Sequence, residues 1–145
     1  MAADCLICEK HAGRGPLVGP VVWEDRDVLV SHRPADPDGR GFPGHLFVES
    51  RRHVARWDEL TSGEAESVAR AAWLAARALR AELPVELVFS AIIGMNVHHF
   101  HQHIFVRYPE TPSDVDWMGS LSWDGAPRSH VDALAARLGR HFGRE

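Results

Sequence analysis

The sequence predicts an α+β fold in which helices pack against an antiparallel sheet. Short apolar segments rich in β-branched residues occur in both halves of the chain and are typical of strands. A segment with helical spacing of its apolar residues separates them, and a second such segment lies near the end. The order of elements, three strands, a helix, two strands and a helix, therefore favours an antiparallel sheet covered by helices.

The composition fits one small globular domain. With 145 residues, of which 45% are hydrophobic, the chain can bury most of its apolar surface in a single core, so we expect one domain over residues 1–145. A net charge of −4 and the absence of a basic run argue against polymeric nucleic acid as a partner. We find neither a signal-peptide pattern nor an apolar run of roughly 18 residues, so we expect a cytoplasmic protein without a membrane span.

The first half of the chain predicts three strands. Residues 21–24 and 27–31 are mainly apolar, and residues 24–26 between them indicate a hairpin turn. Pro and Gly recur through residues 32–44, which predicts an irregular surface loop. The extended apolar pattern returns at residues 45–49, where we expect the third strand.

Two helices are predicted from start and stop signals. Thr61 and Glu64 have the spacing of a capping box, and the helix that starts there should end before Pro84. This is the main helix of the fold. Ser129 and Asp132 resemble the start of a C-terminal helix, because the residues that follow present one apolar face.

Two more strands are predicted after the main helix, and the second carries a row of histidines. Residues 85–93 are rich in β-branched and aromatic side chains, which favours a central strand. After a turn at residues 94–96 come His99, His101 and His103, whose side chains would share one face of a strand. Such a row is a solvated polar face, a set of metal ligands or a reactive site, since the imidazole pKa lies near neutral pH.

The pattern His-x-His-x-His followed by Ile104 and Phe105 resembles the signature of the histidine triad (HIT) superfamily. Gly44 and His45 at the start of a strand, residues 51–54 and the capped helix occur in the same order, so the resemblance covers nearly the whole chain. It implies a HIT-like fold, with a five-stranded antiparallel sheet, one main helix and a C-terminal helix. It also implies a homodimer that acts on nucleotides through a covalent nucleotidyl-histidine.

The resemblance implies a role for each catalytic position. His101 is the nucleophile that attacks the α-phosphorus, and a neutral imidazole is indeed nucleophilic near pH 7. His103 is a donor to the phosphate oxygens and so contributes to substrate binding. His45 is the fourth histidine and supports the hydrogen bonds of the triad, of which His99 is the first member. Asn96 lies where relatives place a polar contact to the phosphate or leaving group.

Cys5 and Cys8 have a spacing that suits a metal site or a redox pair rather than a structural disulfide. The chain resembles a subset of bacterial zinc-containing HIT proteins, and this resemblance implies that Cys5, Cys8, His53 and His99 bind Zn²⁺. A closed shell of four protein ligands has no open position, so the metal would be structural. His11 is a competing ligand, and an unliganded thiol pair is the alternative.

One position departs from the family pattern. Many HIT hydrolases carry an Asp after the strand that here ends with Ser31, and its carboxylate holds the ribose hydroxyls. Arg33 stands in this region instead and cannot accept hydrogen bonds. Asp36 or Asp38 in the following loop could substitute for the missing carboxylate.

The resemblance implies a nucleotide hydrolase that cleaves a nucleoside phosphoramidate or a dinucleoside polyphosphate at the α-phosphorus. A nucleotidyltransferase or phosphorylase is an alternative, although relatives with those activities carry Gln where His103 stands. A non-catalytic, zinc-stabilised nucleotide-binding adaptor is the other alternative. Trp117 and Trp123 follow the triad and either stack on a base or serve packing.

Overall fold

The structure is a computed structural model that describes residues 4–143. Its main sheet has five antiparallel strands, and three helices surround it. The elements are α1 (Leu6–His11), β1 (Val21–Glu24), β2 (Val28–His32), β3 (Arg40–Gly41), β4 (His45–Ser50), α2 (Ser62–Glu82), β5 (Leu87–Ala91), β6 (His101–Arg107), β7 (Ser129–His130) and α3 (Val131–Gly139). The strand order is β1-β2-β4-β6-β5, so the predicted α+β fold with a five-stranded antiparallel sheet is confirmed.

The sheet has one face in the hydrophobic core and one face that carries polar side chains. Alternate residues of β4 and β6, among them Leu46, Val48 and Val106, are completely buried in a cluster that also contains the apolar side chains of α2 and α3. Each such buried side chain contributes roughly 1.5–3 kcal/mol to stability. The intervening residues point to the opposite face, because side chains alternate along a strand. That face therefore receives the histidines.

The start of α2 is fixed by the capping box that the sequence predicts. Thr61 Oγ1 accepts a hydrogen bond from the Glu64 amide at 3.1 Å, and a Glu64 carboxylate oxygen accepts one from the Thr61 amide at 2.8 Å. Arg52 donates to both carboxylate oxygens, at 2.9 and 2.8 Å. The hydrogen bond from Arg52 is the main reason why the pKa of Glu64 falls to about 2. The cap thus ties α2 to the segment that leads into His53.

We expect Glu64→Ala to lower the free energy of unfolding by about 1–2 kcal/mol at pH 7, because both capping hydrogen bonds and the Arg52 pair are lost. The pKa of Glu64 is depressed in the folded state, so its contribution is present above the ordinary value of 4.5 and is lost as the pH falls towards 2. Urea unfolding at several pH values measures this. The exposed variant Glu66→Ala is the control, and an equal loss of stability in both variants would contradict the assignment.

Two sequence predictions about these elements are wrong. Residues 85–93 were expected to form a central strand, but β5 lies at the edge of the sheet and pairs only with β6. Leu87 is correspondingly 47% exposed. Ser129 was expected to start the last helix, but it belongs to β7, which pairs with β3, and α3 starts after His130 without a side-chain cap.

One helix was not predicted. In α1, Cys5 occupies the N-cap position, and its sulfur accepts a hydrogen bond from the Cys8 amide at 3.2 Å. The helix is only six residues long, too short to show an apolar period. Among the described residues, no helix has the length and apolar character needed to span a membrane.

Candidate active site and metal cluster

The strands β4 and β6 bring the histidines together on the polar face of the sheet. In their antiparallel register, Phe47 lies opposite His103 and Glu49 lies opposite His101. His101 and His103 are partly exposed, whereas His45, at the start of β4, is buried. The strands therefore place two reachable imidazoles beside a buried third one.

His99 lies just outside β6 and points towards the N-terminal segment. β6 begins at His101, and the preceding residue Phe100 makes backbone hydrogen bonds with Val54 and Ser50. The ring of His99 is completely buried, and its Nε2–H donates to the Ser50 carbonyl at 2.7 Å. Its Nδ1 is therefore the unprotonated nitrogen, and it points to the two cysteines.

His101 is held in one tautomer by its own backbone. Its Nδ1 lies 2.8 Å from the carbonyl oxygen of His99. Because a carbonyl oxygen can only accept, Nδ1 carries the proton and Nε2 keeps its lone pair. A neutral imidazole fixed in this way is oriented to act as a nucleophile through Nε2.

His103 and His45 form a second hydrogen-bonded pair, with 3.1 Å between His103 Nδ1 and His45 Nε2. Burial, followed by the charge of His103, lowers the pKa of His45 to about 3. Burial and the nearby charges of His101 and Arg33 also lower the pKa of His103. His45 is therefore neutral at pH 7, and the pair can share one hydrogen bond without two buried charges.

The position of His45 depends on Gly44 and His32. Gly44 has a φ of +112°, which favours glycine, and a Cβ atom there would lie 2.6 Å from a methyl group of Val106. Its amide donates to Nε2 of the buried His32 at 3.0 Å. No local pattern indicated this role of His32, since a single histidine at a strand end is usually exposed.

Cys5, Cys8, His53 and His99 form a candidate metal site, as the sequence resemblance implies. Their ligand atoms all lie within 4.8 Å of one another. His99 Nδ1 lies 3.4 Å from Cys5 Sγ, 3.5 Å from Cys8 Sγ and 3.2 Å from His53 Nδ1. Tetrahedral bonds of about 2.3 Å to sulfur and about 2.0 Å to nitrogen place such neighbours about 3.5 Å apart. The residues therefore fit a zinc ion.

His11 is not part of this cluster. Its Nε2 lies 2.9 Å from one carboxylate oxygen of Glu49, and Lys10 Nζ donates to the other at 2.8 Å. Burial alone would raise the pKa of Glu49, but the hydrogen bond from His11 and the charge of Lys10 hold it below its ordinary value. This buried network of charged groups links α1 to β4 beside His101, and no local pattern in the sequence indicated it.

A cavity of about 320 Å³, which we call the His101 cavity, opens beside the nucleophile candidate. Its wall is mainly apolar, and its charged members are Lys10, Arg33, Asp36 and Glu49. The N-terminal segment supplies much of this wall, including Ile7, Pro16 and Leu17. The segment that lines the cavity is therefore the one that carries Cys5 and Cys8 of the candidate metal site.

The remaining predicted contact residues are spread around this centre. Asn96 lines a neighbouring cavity with Cys5 and His53 rather than the His101 cavity. Asp36 lines the His101 cavity but is paired with Arg128, as is Asp38. The two tryptophans of the loop after β6 also differ: Trp117 packs near Phe105 on the sheet, whereas Trp123 lines a separate cavity.

The fold is similar to that of solved proteins named for the histidine triad. A member of the HIT family of proteins from Bacillus subtilis is 28% identical, with a TM-score of 0.59, over 74% of this chain and 75% of that chain. A HIT family protein from Bacillus anthracis is 25% identical, with a TM-score of 0.61, over 76% of this chain and 77% of that chain.

A Zn-bound histidine triad family protein from Mycobacterium smegmatis is 21% identical, with a TM-score of 0.68, over 97% of this chain and 94% of that chain. No family model and no curated protein matches the chain. The two solved structures from Bacillus, at 28% and 25% identity, nevertheless carry the HIT family name, and this chain has the motif His101-x-His103 on β6, preceded by His99. These structural neighbours support placing the chain in the histidine triad superfamily.

Proposed function

We propose that this protein is a nucleotide hydrolase that cleaves its substrate at the α-phosphorus through a covalent nucleotidyl-histidine on His101. The observation that carries the proposal is the hydrogen bond from His101 Nδ1 to the His99 carbonyl, which leaves Nε2 free beside a cavity of about 320 Å³. The apolar wall of this cavity fits a nucleobase, since small-molecule sites combine apolar walls with a few polar groups.

The reaction proceeds in two displacements. His101 Nε2 forms a bond to the α-phosphorus, and the bond from phosphorus to the leaving group breaks. The leaving group departs with the electron pair of that bond, as an anion if it is a phosphate chain or with a proton taken from solvent if it is an amine. Water then attacks the same phosphorus and loses a proton to solvent, the bond to Nε2 breaks, and a nucleoside monophosphate is released. The ring keeps its Nδ1 proton on the His99 carbonyl throughout, so the positive charge of the intermediate is stabilised by that oxygen.

His103 stabilises the phosphate in this proposal. If His45 Nε2–H donates to His103 Nδ1, the neutral His103 ring carries its proton on Nε2 and can donate it to a phosphate oxygen. His45 therefore acts as a positioning residue. His103 also favours hydrolysis over nucleotidyl transfer or phosphorolysis, because superfamily branches with those two activities carry Gln at the corresponding position.

Zinc is the metal that we propose for the cluster of Cys5, Cys8, His53 and His99, with a structural role. When bound, it would link the start of α1 to His53 and to His99, which lies two residues before β6. The donor set of two sulfurs and two nitrogens supports zinc, as does the Zn-bound protein from Mycobacterium smegmatis. Two cysteines that form no disulfide also support our proposal that the protein is cytoplasmic.

We propose that the protein is a homodimer, with β5 at the interface. Among the described residues, the outer edge of β5 is unpaired, and Leu87, Ile93 and Met95 are exposed near it. Light scattering should therefore give about 32 kDa, twice the 16.1 kDa of the chain. Leu87→Lys should shift the mass to that of the monomer, and a wild-type mass near 16.1 kDa at micromolar concentration would contradict the proposal.

The test of the proposed function is turnover of adenosine 5′-phosphoramidate and of a diadenosine polyphosphate, in water enriched in ¹⁸O. Hydrolysis should release AMP that contains one ¹⁸O atom from water. Release of nucleotide only when a second acceptor such as phosphate is added would instead show a transferase or phosphorylase. Tight nucleotide binding without release of product would show a non-catalytic adaptor.

A further inference from the structure

Arg33 lies at the boundary between two cavities of the candidate site. Together with Pro34 it lines the His101 cavity, and both residues also line a second cavity of about 200 Å³ that contains His45. We call this second space the His45 cavity. It continues into a third space of about 520 Å³, with which it shares Phe42, Leu121 and Ser122.

The guanidinium group of Arg33 is an unpaired cation. It is exposed, and within residues 4–143 no carboxylate lies within ion-pair distance of it. The neighbouring acids Asp36 and Asp38 are instead both paired with Arg128, the former at 2.7 Å. Arg33 is nonetheless close enough to the catalytic histidines that its charge contributes to the lowered pKa of His103.

A ligand that reacts at His101 must cross this boundary if it fills both cavities. Along the register of β4 and β6, Glu49 and His101 lie at one end, His103 follows, and His45 lies at the other end. The His101 cavity and the His45 cavity therefore lie towards opposite ends of the row of imidazoles. Arg33 lines both cavities, so its guanidinium group would lie beside the middle of a ligand that fills both of them.

We propose that Arg33 binds the leaving group of the reaction, and that this leaving group carries at least one further phosphate. The nucleoside would occupy the His101 cavity, the phosphate chain would pass Arg33, and a second group would enter the His45 cavity. This inference rests on the proposed function, because it assigns the leaving-group side of the same reaction.

The chemistry of the leaving group favours a phosphate chain over an amine as the group that Arg33 binds. When His101 Nε2 bonds to the α-phosphorus, a polyphosphate leaves with the electron pair of the broken P–O bond as an anion and needs a cation, not a proton. An amine that leaves from a phosphoramidate must instead gain a proton. Arg33 cannot donate one at neutral pH, but its planar guanidinium can bind two phosphate oxygens at once.

The space beyond the His45 cavity fits a second planar group. Trp123 is partly buried in the space beyond the His45 cavity, and its indole N–H donates to the Ser120 carbonyl at 3.1 Å, which fixes the ring. Phe42 and Leu121 add apolar surface to the same space. Aromatic rings of this kind stack on nucleobases, so a second nucleoside is an occupant of suitable chemistry.

The test compares kcat/KM for diadenosine tetraphosphate and adenosine 5′-phosphoramidate in Arg33→Met and Arg33→Lys. We expect Arg33→Met to lower the value for the tetraphosphate by about 10- to 150-fold, and that for the phosphoramidate by less than about threefold. Arg33→Lys should restore part of the loss, because it keeps the charge without the planar fork.

Arg26→Gln is the control, since that side chain is 92% exposed. An equal loss for both substrates, or none for the tetraphosphate, would overturn the inference.

Binding of pyrophosphate separates this inference from the proposed function. If the wild-type protein hydrolyses neither substrate, the proposed function has failed, but calorimetry with pyrophosphate still reports on Arg33. The leaving-group site would be supported if the wild type and Arg26→Gln bind pyrophosphate and Arg33→Met does not. Equal binding by all three proteins would overturn it.

Discussion

Replacement of His101 by Asn is expected to lower kcat/KM for nucleotide hydrolysis by at least about 10³-fold, since removal of a covalent nucleophile has effects of this size or larger. The physical reason is the loss of the attacking nitrogen atom, Nε2. The Asn side-chain amide can still donate to the His99 carbonyl, as Nδ1 does at 2.8 Å, but it has nothing in place of Nε2. Steady-state kinetics with either proposed substrate measures the effect.

The control for this variant is another histidine that is changed in the same way. His130 is exposed on β7 and lines none of the cavities described above, so His130→Asn should keep wild-type activity. Both variants should also keep the wild-type melting temperature and metal content, because neither residue is part of the metal cluster. Turnover that persists unchanged in His101→Asn would show that another group attacks phosphorus.

Loss of the metal is expected to cause the largest change in stability. Cys5→Ser should lower the metal content from one ion per chain to nearly none, and the melting temperature by about 10 °C or more. The N-terminal segment has only a small apolar cluster of its own, in which Cys5, Ile7 and Cys8 are the buried members. Without the ion, only this small cluster and the contacts of Lys10 and His11 with Glu49 remain to hold α1 against the sheet. Elemental analysis and calorimetry measure the two effects.

The same experiment distinguishes between the two candidate histidine ligands. His53→Asn should lose the metal, because its Nδ1 lies 3.4 Å from Cys8 Sγ. His11→Asn should keep it, because His11 bonds to Glu49 and lies outside the cluster. Zinc that remains stoichiometric in Cys5→Ser, or that is lost in His11→Asn but not in His53→Asn, would contradict the assigned ligands.

Local patterns in the sequence predicted those elements whose causes are local. The capping box of Thr61 and Glu64 fixes the start of α2 through hydrogen bonds that span three residues, so spacing alone reveals it. The extended apolar pattern of residues 45–49 likewise predicted β4. Composition could not reveal that β5 lies at an edge, because half-buried edge strands and central strands both favour β-branched and aromatic residues.

The site was predictable in its residue types and less so in its geometry. The spacing of His99, His101 and His103 predicted a shared strand face, but it could not show that β6 begins only at His101 or that His99 Nδ1 points to the cysteines. The cluster joins residues as far apart as Cys5 and His99, so it followed from resemblance and not from spacing. The Lys10–Glu49 pair and the boundary position of Arg33 depend on tertiary packing and gave no local signal.

The most direct test of the covalent mechanism is to trap the intermediate. A diadenosine polyphosphate labelled with ³²P at the α-position is mixed with excess protein, quenched in alkali during the first turnover and mapped by proteolysis. We expect label on the peptide that contains His101, stable in alkali and lost in mild acid, as is typical of a phosphorus–nitrogen bond. Product formation without label on the protein, or label on a peptide that lacks His101, would contradict it.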